Sequence, residues 1–224
     1  MRITRAFRRE GTIGTEERTV TPQDSLTRVE RKKKKTRRVL LEVALDLFYE
    51  KGIYWTTVED MTERADVGKG TFYQYFETKE AILLNLLQEG LDALLARTRD
   101  AIQAARPGRQ VVSTAIKCQL DFYLENPKYL LLFHQVRGLL QLKTAEEKGL
   151  KEVYDAYLNG LGRSLMPALS QKSSVHAALE LGMVLSAMIS GFLSHHLLFG
   201  KPGELKRRRS GIQTQIEQSV HAIL

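Results

Sequence analysis

Cysteine is nearly absent from this chain. Cys118 is the single one in 224 residues, so no disulfide can form within it. A lone thiol suits a reducing compartment and points to the cytoplasm. Proline occurs five times, too seldom to interrupt most of the chain, which is therefore expected to fold. No alternating stretch long enough for a strand stands out, and no internal repeat is evident. The sequence has no Gly-rich phosphate loop, no nucleophile elbow of the hydrolase kind and no His-Glu-x-x-His, so nothing supports an enzyme or calls for a cofactor. The first 38 residues lack the apolar core of a secretory signal, and Glu10, Glu16 and Glu17 are wrong for a transit peptide.

Positive charge is abundant, but it is confined. The formal net charge is +8, and residues 1–38 alone hold 13 Lys and Arg against 5 Asp and Glu. The remaining 186 residues hold 21 of each sign. Basicity is thus a property of the N-terminal tail, which suits a polyanion such as nucleic acid or an anionic membrane. Residues 1–30 show no sustained period, and 1–35 are expected to be a disordered basic tail; the run Arg31-Lys32-Lys33-Lys34-Lys35-Thr36-Arg37-Arg38 leads from it directly into a helix. A start of translation near Leu26 or Val29 is an alternative that mass spectrometry of the native protein would decide.

Beyond the tail the pattern is helical throughout, predicting an all-α fold. Apolar residues at 40, 43, 44, 47 and 48 form one stripe of an amphipathic helix, and Gly52 is placed to stop it. Thr56-Thr57-Val58-Glu59 reads as a capping box, with Thr56 as cap and Glu59 at the third position, opening a short helix to about Ala65. Asp66-Val67-Gly68 is a tight turn, and a third helix runs from Lys69 to about Phe76. Thr78 caps a fourth helix reaching about Ala105. Pro107-Gly108 marks a junction. Helices are then expected at 110–125, 128–142, 146–166, 174–199 and 204–223. The domains expected are a helix-turn-helix unit at 36–80, a connecting helix at 81–106 and a helical domain at 107–224.

Two short helices joined by a three-residue turn make the layout whose second helix enters the DNA major groove. In that second helix Phe72 and Phe76 are expected to face the core with Val58, Met61 and Ala65. Lys69, Thr71, Tyr73, Gln74 and Tyr75 are left on the other face, with donors suited to phosphates and base edges. Lys79 stands in the first turn of its helix, where the dipole disfavours a cation and a nearby phosphate would favour one. Residues 37–95 resemble the DNA-binding domain of the TetR/AcrR family of bacterial regulators. The stretches that carry the likeness are 43–52, Thr56 to Met61, Val67 to Phe76 and Lys79 to Leu83. The resemblance implies that Thr57 opens the helix lying across the backbone. It also implies that Lys69, Gly70 and Thr71 begin the recognition helix, and that Tyr73 and Lys79 bind phosphate. Tyr75 departs from the His common there, and with Gln74, Lys69 and Thr71 it is expected to set base preference.

Residues 39–80 hold 4 Lys and Arg against 9 Asp and Glu. A DNA-binding body that acidic needs cations from elsewhere, and residues 31–38, with Arg37 and Arg38 among them, supply seven. The tail is therefore expected to track the DNA backbone and steepen the salt dependence of binding. A nonspecific architectural DNA-binding protein driven by that tail is the rival reading.

Between Glu180 and Lys201 no residue is charged, and the apolar residues cover more than one face. Such a helix needs burial, and a second copy of the chain is the natural cover. Met188, Phe192, His195, Ile212 and Ile216 are the expected dimer contacts, because the resemblance pairs the last two helices across a dimer axis. A membrane-spanning helix fits by length, but Ser186, Ser190, Ser194, His195 and His196 argue against it, so no membrane partner is expected. Adjacent His195 and His196 point about 100° apart on a helix and share a metal ion poorly. The resemblance further implies a pocket for an unknown small-molecule effector between residues 110 and 170, with Tyr123, Tyr129, His134, Arg137 and Tyr154 as candidate polar groups. The function expected is a ligand-responsive repressor binding a palindromic operator, a double-stranded DNA site, as a homodimer in the cytoplasm.

Overall fold

A computed structural model describes residues 27–139, 147–170, 173–201 and 203–221. The chain divides at Thr36 into two units. The described part is helical, with α1 at Arg28–Lys51, α2 at Val58–Arg64, α3 at Lys69–Tyr73, α4 at Lys79–Gln103 and α5 at Arg109–Glu125. It continues with α6 at Pro127–Leu139, α7 at Glu147–Ser164, a short 3-10 turn at Met166–Ala168, α8 at Val175–Phe199 and α9 at Glu204–His221.

The expected first helix starts earlier than periodicity suggested. Thr27 and Glu30 form a capping box: the Glu30 amide donates to Thr27 Oγ1 at 3.2 Å, and the Thr27 amide donates to the Glu30 carboxylate at 2.8 Å. The basic run 31–38, read from sequence as the end of a disordered tail and its lead-in, is therefore helical. The tail reading for residues 1–26 lies outside the described residues, as do the expected helical positions at 140–142.

From Arg37 onward one continuous apolar core forms. Leu40, Leu41, Ala44, Leu47 and Phe48 of α1 are fully buried, together with Met61 of α2, Phe72 of α3 and Ile82, Leu83, Leu86 and Leu87 of α4. Each side chain of this size contributes roughly 1.5–3 kcal/mol when it leaves water. This core gives the short α2 and α3 a fixed seat that their own length could not supply. Gly52 ends α1 at φ +86°, its amide donating to the Phe48 carbonyl at 3.1 Å. The second half of α4 continues past this core with Leu91, Leu94 and Ile102 buried, so a single helix serves both halves of the molecule.

Two close approaches fix the C-terminal helices. Gly162 of α7 and Gly182 of α8 face each other at the helix crossing. A Cβ on Gly162 would lie 2.7 Å from the Leu179 Cα, and one on Gly182 would lie 2.9 Å from the Gly162 nitrogen. Backbone meets backbone there, with no room for a methyl group. Between α4 and α6, Gly90 lies under the Tyr129 ring, 2.4 Å from where its own Cβ would be.

Helix α6 also reaches the first turn of the molecule. The Gln135 side chain accepts from the Ile53 amide at 2.8 Å and donates to the Phe48 carbonyl at 3.1 Å. One amide thus ties the C-terminal domain to the end of α1. Among the described residues, α8 is the helix long and apolar enough to span a membrane, and half of its most apolar stretch is packed inside the protein. Leu181, Leu185, Ile189 and Leu193 point inward, while Met183, Phe192, Leu198 and Phe199 are exposed.

Candidate nucleic-acid interface

The cap of α2 differs from the expected one by a residue. Thr56 is fully buried and its hydroxyl donates to the Gly52 carbonyl at 2.8 Å, so it closes the preceding turn. Thr57 takes the cap instead, with Asp60 completing the box. The Asp60 amide donates to Thr57 Oγ1 at 3.1 Å, and the Thr57 amide donates to the Asp60 carboxylate at 2.9 Å. Lys51 Nζ reaches the other Asp60 oxygen at 2.5 Å. The Lys51 ammonium and the Thr57 donors hold the Asp60 carboxyl down at about 2. Thr57 is left exposed at the start of α2, where its resemblance-based role requires it.

The shift in cap releases Glu59, whose carboxylate bonds the ammonium of Lys69. The hydrogen bond to Lys69 lowers the Glu59 pKa and raises that of Lys69. Sequence reasoning gave Glu59 to the cap and so missed this pair.

Helix α3 is shorter than expected, five residues from Lys69, because the chain turns at Gln74. Phe72 and Phe76 anchor it, 0% and 3% exposed, their rings 5.9 Å apart. That leaves Lys69, Gly70, Tyr73 and Gln74 exposed and Thr71 half-buried. Tyr73 stands 54% exposed, with its ring edge-on to Phe72 at 5.5 Å. Tyr75 departs from expectation: it is half-buried and packs against the core, so it is less open to a partner than its neighbours.

Lys79 also finds a place inside the chain. Its ammonium donates to the Ile53 carbonyl at 3.0 Å and the Tyr54 carbonyl at 3.5 Å, which offsets its unfavourable position at a helix start. No phosphate is needed to account for it. Arg37 and Arg38 are similarly engaged. Arg37 bonds Asn85, lies over the Phe76 ring at 5.4 Å and meets Glu89 at 3.6 Å. Arg38 pairs with Glu42 at 2.8 Å and Glu89 at 3.3 Å. Both arginines hold α1 to α4, and either must exchange partners to reach DNA.

The turn before α2 presents a feature missed from sequence. Tyr54 and Trp55 are 74% and 73% exposed, edge to face at 5.0 Å, beside the Thr57 cap. The signal was available, since this is the chain's one tryptophan and it stands in a polar turn between two amphipathic helices.

The outward row of Thr57, Lys69, Gly70, Tyr73 and Gln74, seated on buried Phe72 and Phe76, has the form of a helix-turn-helix reading head. The family model for bacterial regulatory proteins of the tetR family matches here, over residues 40–86. Over those residues the chain is similar to the DNA-binding segment of tetR-family regulators. The chain is also 28% identical over 178 residues to the HTH-type transcriptional regulator YuxN of Bacillus subtilis, covering 77% of this chain and 60% of that one. It is 30% identical over 118 residues to the HTH-type transcriptional repressor KstR2 of Rhodococcus jostii, covering 48% and 58%. The chain thus spans about 60% of the length of these curated relatives. The crystal structure of the transcriptional regulator FadR from Bacillus subtilis, in complex with stearoyl-CoA, superposes with a TM-score of 0.64 at 17% identity, over 80% of this chain and 96% of that one. The shared architecture is an N-terminal helix-turn-helix followed by a helical domain.

In that helical domain the expected polar candidates separate. Tyr123 is buried against Phe133, ring centroids 6.2 Å apart, and burial pushes its hydroxyl pKa far up. Tyr129 is half-buried over Gly90. Arg137 donates to the Tyr154 hydroxyl at 2.8 Å and to Ser190 Oγ at 2.7 Å. His134 is exposed, and with Arg137 and His195 it lines a cavity of about 610 Å³. Of the expected dimer contacts, Ile212 and Ile216 are covered by the chain's own core, 1% and 0% exposed, and are not open to a partner. Met188 is half-buried, while Phe192 and His195 are exposed on α8.

Proposed function

We propose that this protein is a dimeric, cytoplasmic transcription regulator that binds a palindromic DNA operator and is released from it by a small molecule. The single observation that carries the reading is the exposed polar row on a five-residue helix whose two phenylalanines are locked in the core. Such a helix exposes Lys69, Tyr73 and Gln74 at a cost that a groove contact offsets. Thr57 and Tyr73 contact phosphate, and Lys69, Thr71 and Gln74 face base edges. The basic first turns of α1, Arg31 to Lys35, add phosphate neutralisation that the acidic body lacks. Repression is its proposed mode.

Dimerisation is supported by α8. Met183 and Phe192 stay exposed on a helix with no charge between Glu180 and Lys201, and a second copy would cover them. A symmetric pair would set two α3 helices roughly 34–36 Å apart, one turn of DNA.

Selection of bound sequences from random duplexes tests the reading. The expected result is a palindrome whose half-sites lie about one helical turn apart. An unenriched pool with binding set only by salt would support the rival architectural protein and overturn this one.

A further inference from the structure

The partners of Arg137 are all neutral. Its Nε and Nη2 bond the Tyr154 hydroxyl and its Nη1 bonds Ser190 Oγ, while its guanidinium lies 5.3 Å from the centre of the Tyr154 ring. Among the described residues no carboxylate pairs with it, whereas Arg37, Arg38, Arg64, Arg97, Arg208 and Arg209 each have one. Those six are pinned by acids, and Arg137 is half-buried without one. A cation taken partly out of water with no counter-charge is costly unless an anion completes the site. A guanidinium uses five N–H donors in a fixed fork, and hydroxyls have taken three of these, leaving capacity for an oxyanion.

The surroundings define what else the anion carries. Arg137 forms one wall of the cavity between α6 and α8, of about 610 Å³, within the range of small-molecule sites of roughly 300–1,000 Å³. Leu198 and Phe199 line it, Phe199 being 77% exposed, and Gly138 and Gly191 leave its floor open. His134 and His195 add further donors at the rim.

We infer that the α6–α8 cavity binds a small carboxylate with an apolar body, and that Arg137 is the anchor for its carboxylate. The apolar body lies against Leu198 and Phe199. This rests on the effector reading above and names the chemical class that reading leaves open.

Calorimetry on the purified full chain tests it with matched probes: decanoate against decan-1-ol, and 3-phenylpropanoate against 3-phenylpropan-1-ol. The expected result is that at least one carboxylate binds about tenfold or more tighter than its alcohol, the difference a charge-assisted pair supplies. Arg137→Gln abolishes that preference and Arg137→Lys keeps part of it. Phe199→Glu, at a side chain too exposed at 77% to hold the fold, places a negative charge at the mouth and weakens the same carboxylate about tenfold more than its matched alcohol, which loses only the packing on Phe199, so the test survives if Arg137→Gln fails to fold. Equal binding of acid and alcohol, no binding of either acid, or full carboxylate affinity in Phe199→Glu or a folded Arg137→Gln overturns the proposal. Duplex binding is then read separately with the bound carboxylate present. If the acid binds through Arg137 and duplex affinity does not change, the anion site stands and the effector reading falls.

Discussion

Lys69 reaches the start of α3 already paired, and its partner Glu59 carries the charge that phosphates repel. Glu59→Gln frees the ammonium and removes that repulsion, so duplex affinity is expected to rise several-fold in fluorescence anisotropy at fixed salt; a fall would show that Glu59 positions Lys69 for its contact. Asp60 gives a second test. Its folded pKa of about 2 lies below its ordinary 3.8, so its contribution to stability is fully present above 3.8 and is lost as pH falls through 2. The gap in denaturation midpoint between the native chain and Asp60→Asn is expected to be constant above about pH 5, to shrink below pH 4 and to vanish near pH 2. The buried side of α3 was legible in the sequence, because Phe72 and Phe76 announce it by their spacing, although Tyr75, expected outside, is half-buried. The pairings were not. Whether Thr56 or Thr57 caps α2 turns on one hydroxyl finding the Gly52 carbonyl, and that contact has no periodicity to betray it.

Helix existence was legible almost everywhere, since apolar spacing reports which side each helix buries. The limits came where burial stops giving the signal. The first three turns of α1 are polar but for the exposed Val29, so the stripe began at Leu40 although the helix begins at Arg28; the Thr27–Glu30 box was the available cue. Helix α3 ends early because Phe76 reaches the core from a turn as readily as from a helix. The α7–α8 crossing was hidden as well, because a glycine shows its purpose only when the facing backbone is known. Gly162→Ala or Gly182→Ala forces apart two backbones that cannot yield locally. Each is expected to cost about 1–3 kcal/mol, seen as a fall of several degrees in the melting temperature at roughly 2–4 °C per kcal/mol for a chain of this size. Gly211→Ala, in open space within α9, serves as the control without a clash and is expected to stabilise by about 0.5–1 kcal/mol.

Across the whole molecule, Gln135 joins the C-terminal domain to the turn that leads into α2. Gln135→Leu leaves the Ile53 amide and the Phe48 carbonyl without that partner, at a cost of about 1–3 kcal/mol. Hydrogen exchange is expected to speed at Ile53 while the α7–α8 core stays protected; uniform loss of protection would mean that the tie is merely part of the fold. On the outer face of α8, Phe192→Glu is expected to turn a dimer into a monomer in light scattering without changing helix content. The sequence displayed this uncharged helix plainly, but could not say that Ile212 and Ile216 spend their apolar surface on the same chain. Nor could it foresee Gln135, since a contact spanning more than eighty positions leaves no trace in local pattern.

The glycine contact between α7 and α8 has a mechanical corollary. Two rods that touch along their spines, notch against notch, cannot slip past each other without riding up on their neighbours. That pair therefore behaves as a fixed chassis. A molecule entering beside Arg137 would find one wall immovable, and the push would be delivered to the other, α6, which carries Gln135 at its inner side and begins at the Asn126–Pro127 break. The direction of any message through this protein is thereby set by which of its parts is unable to move.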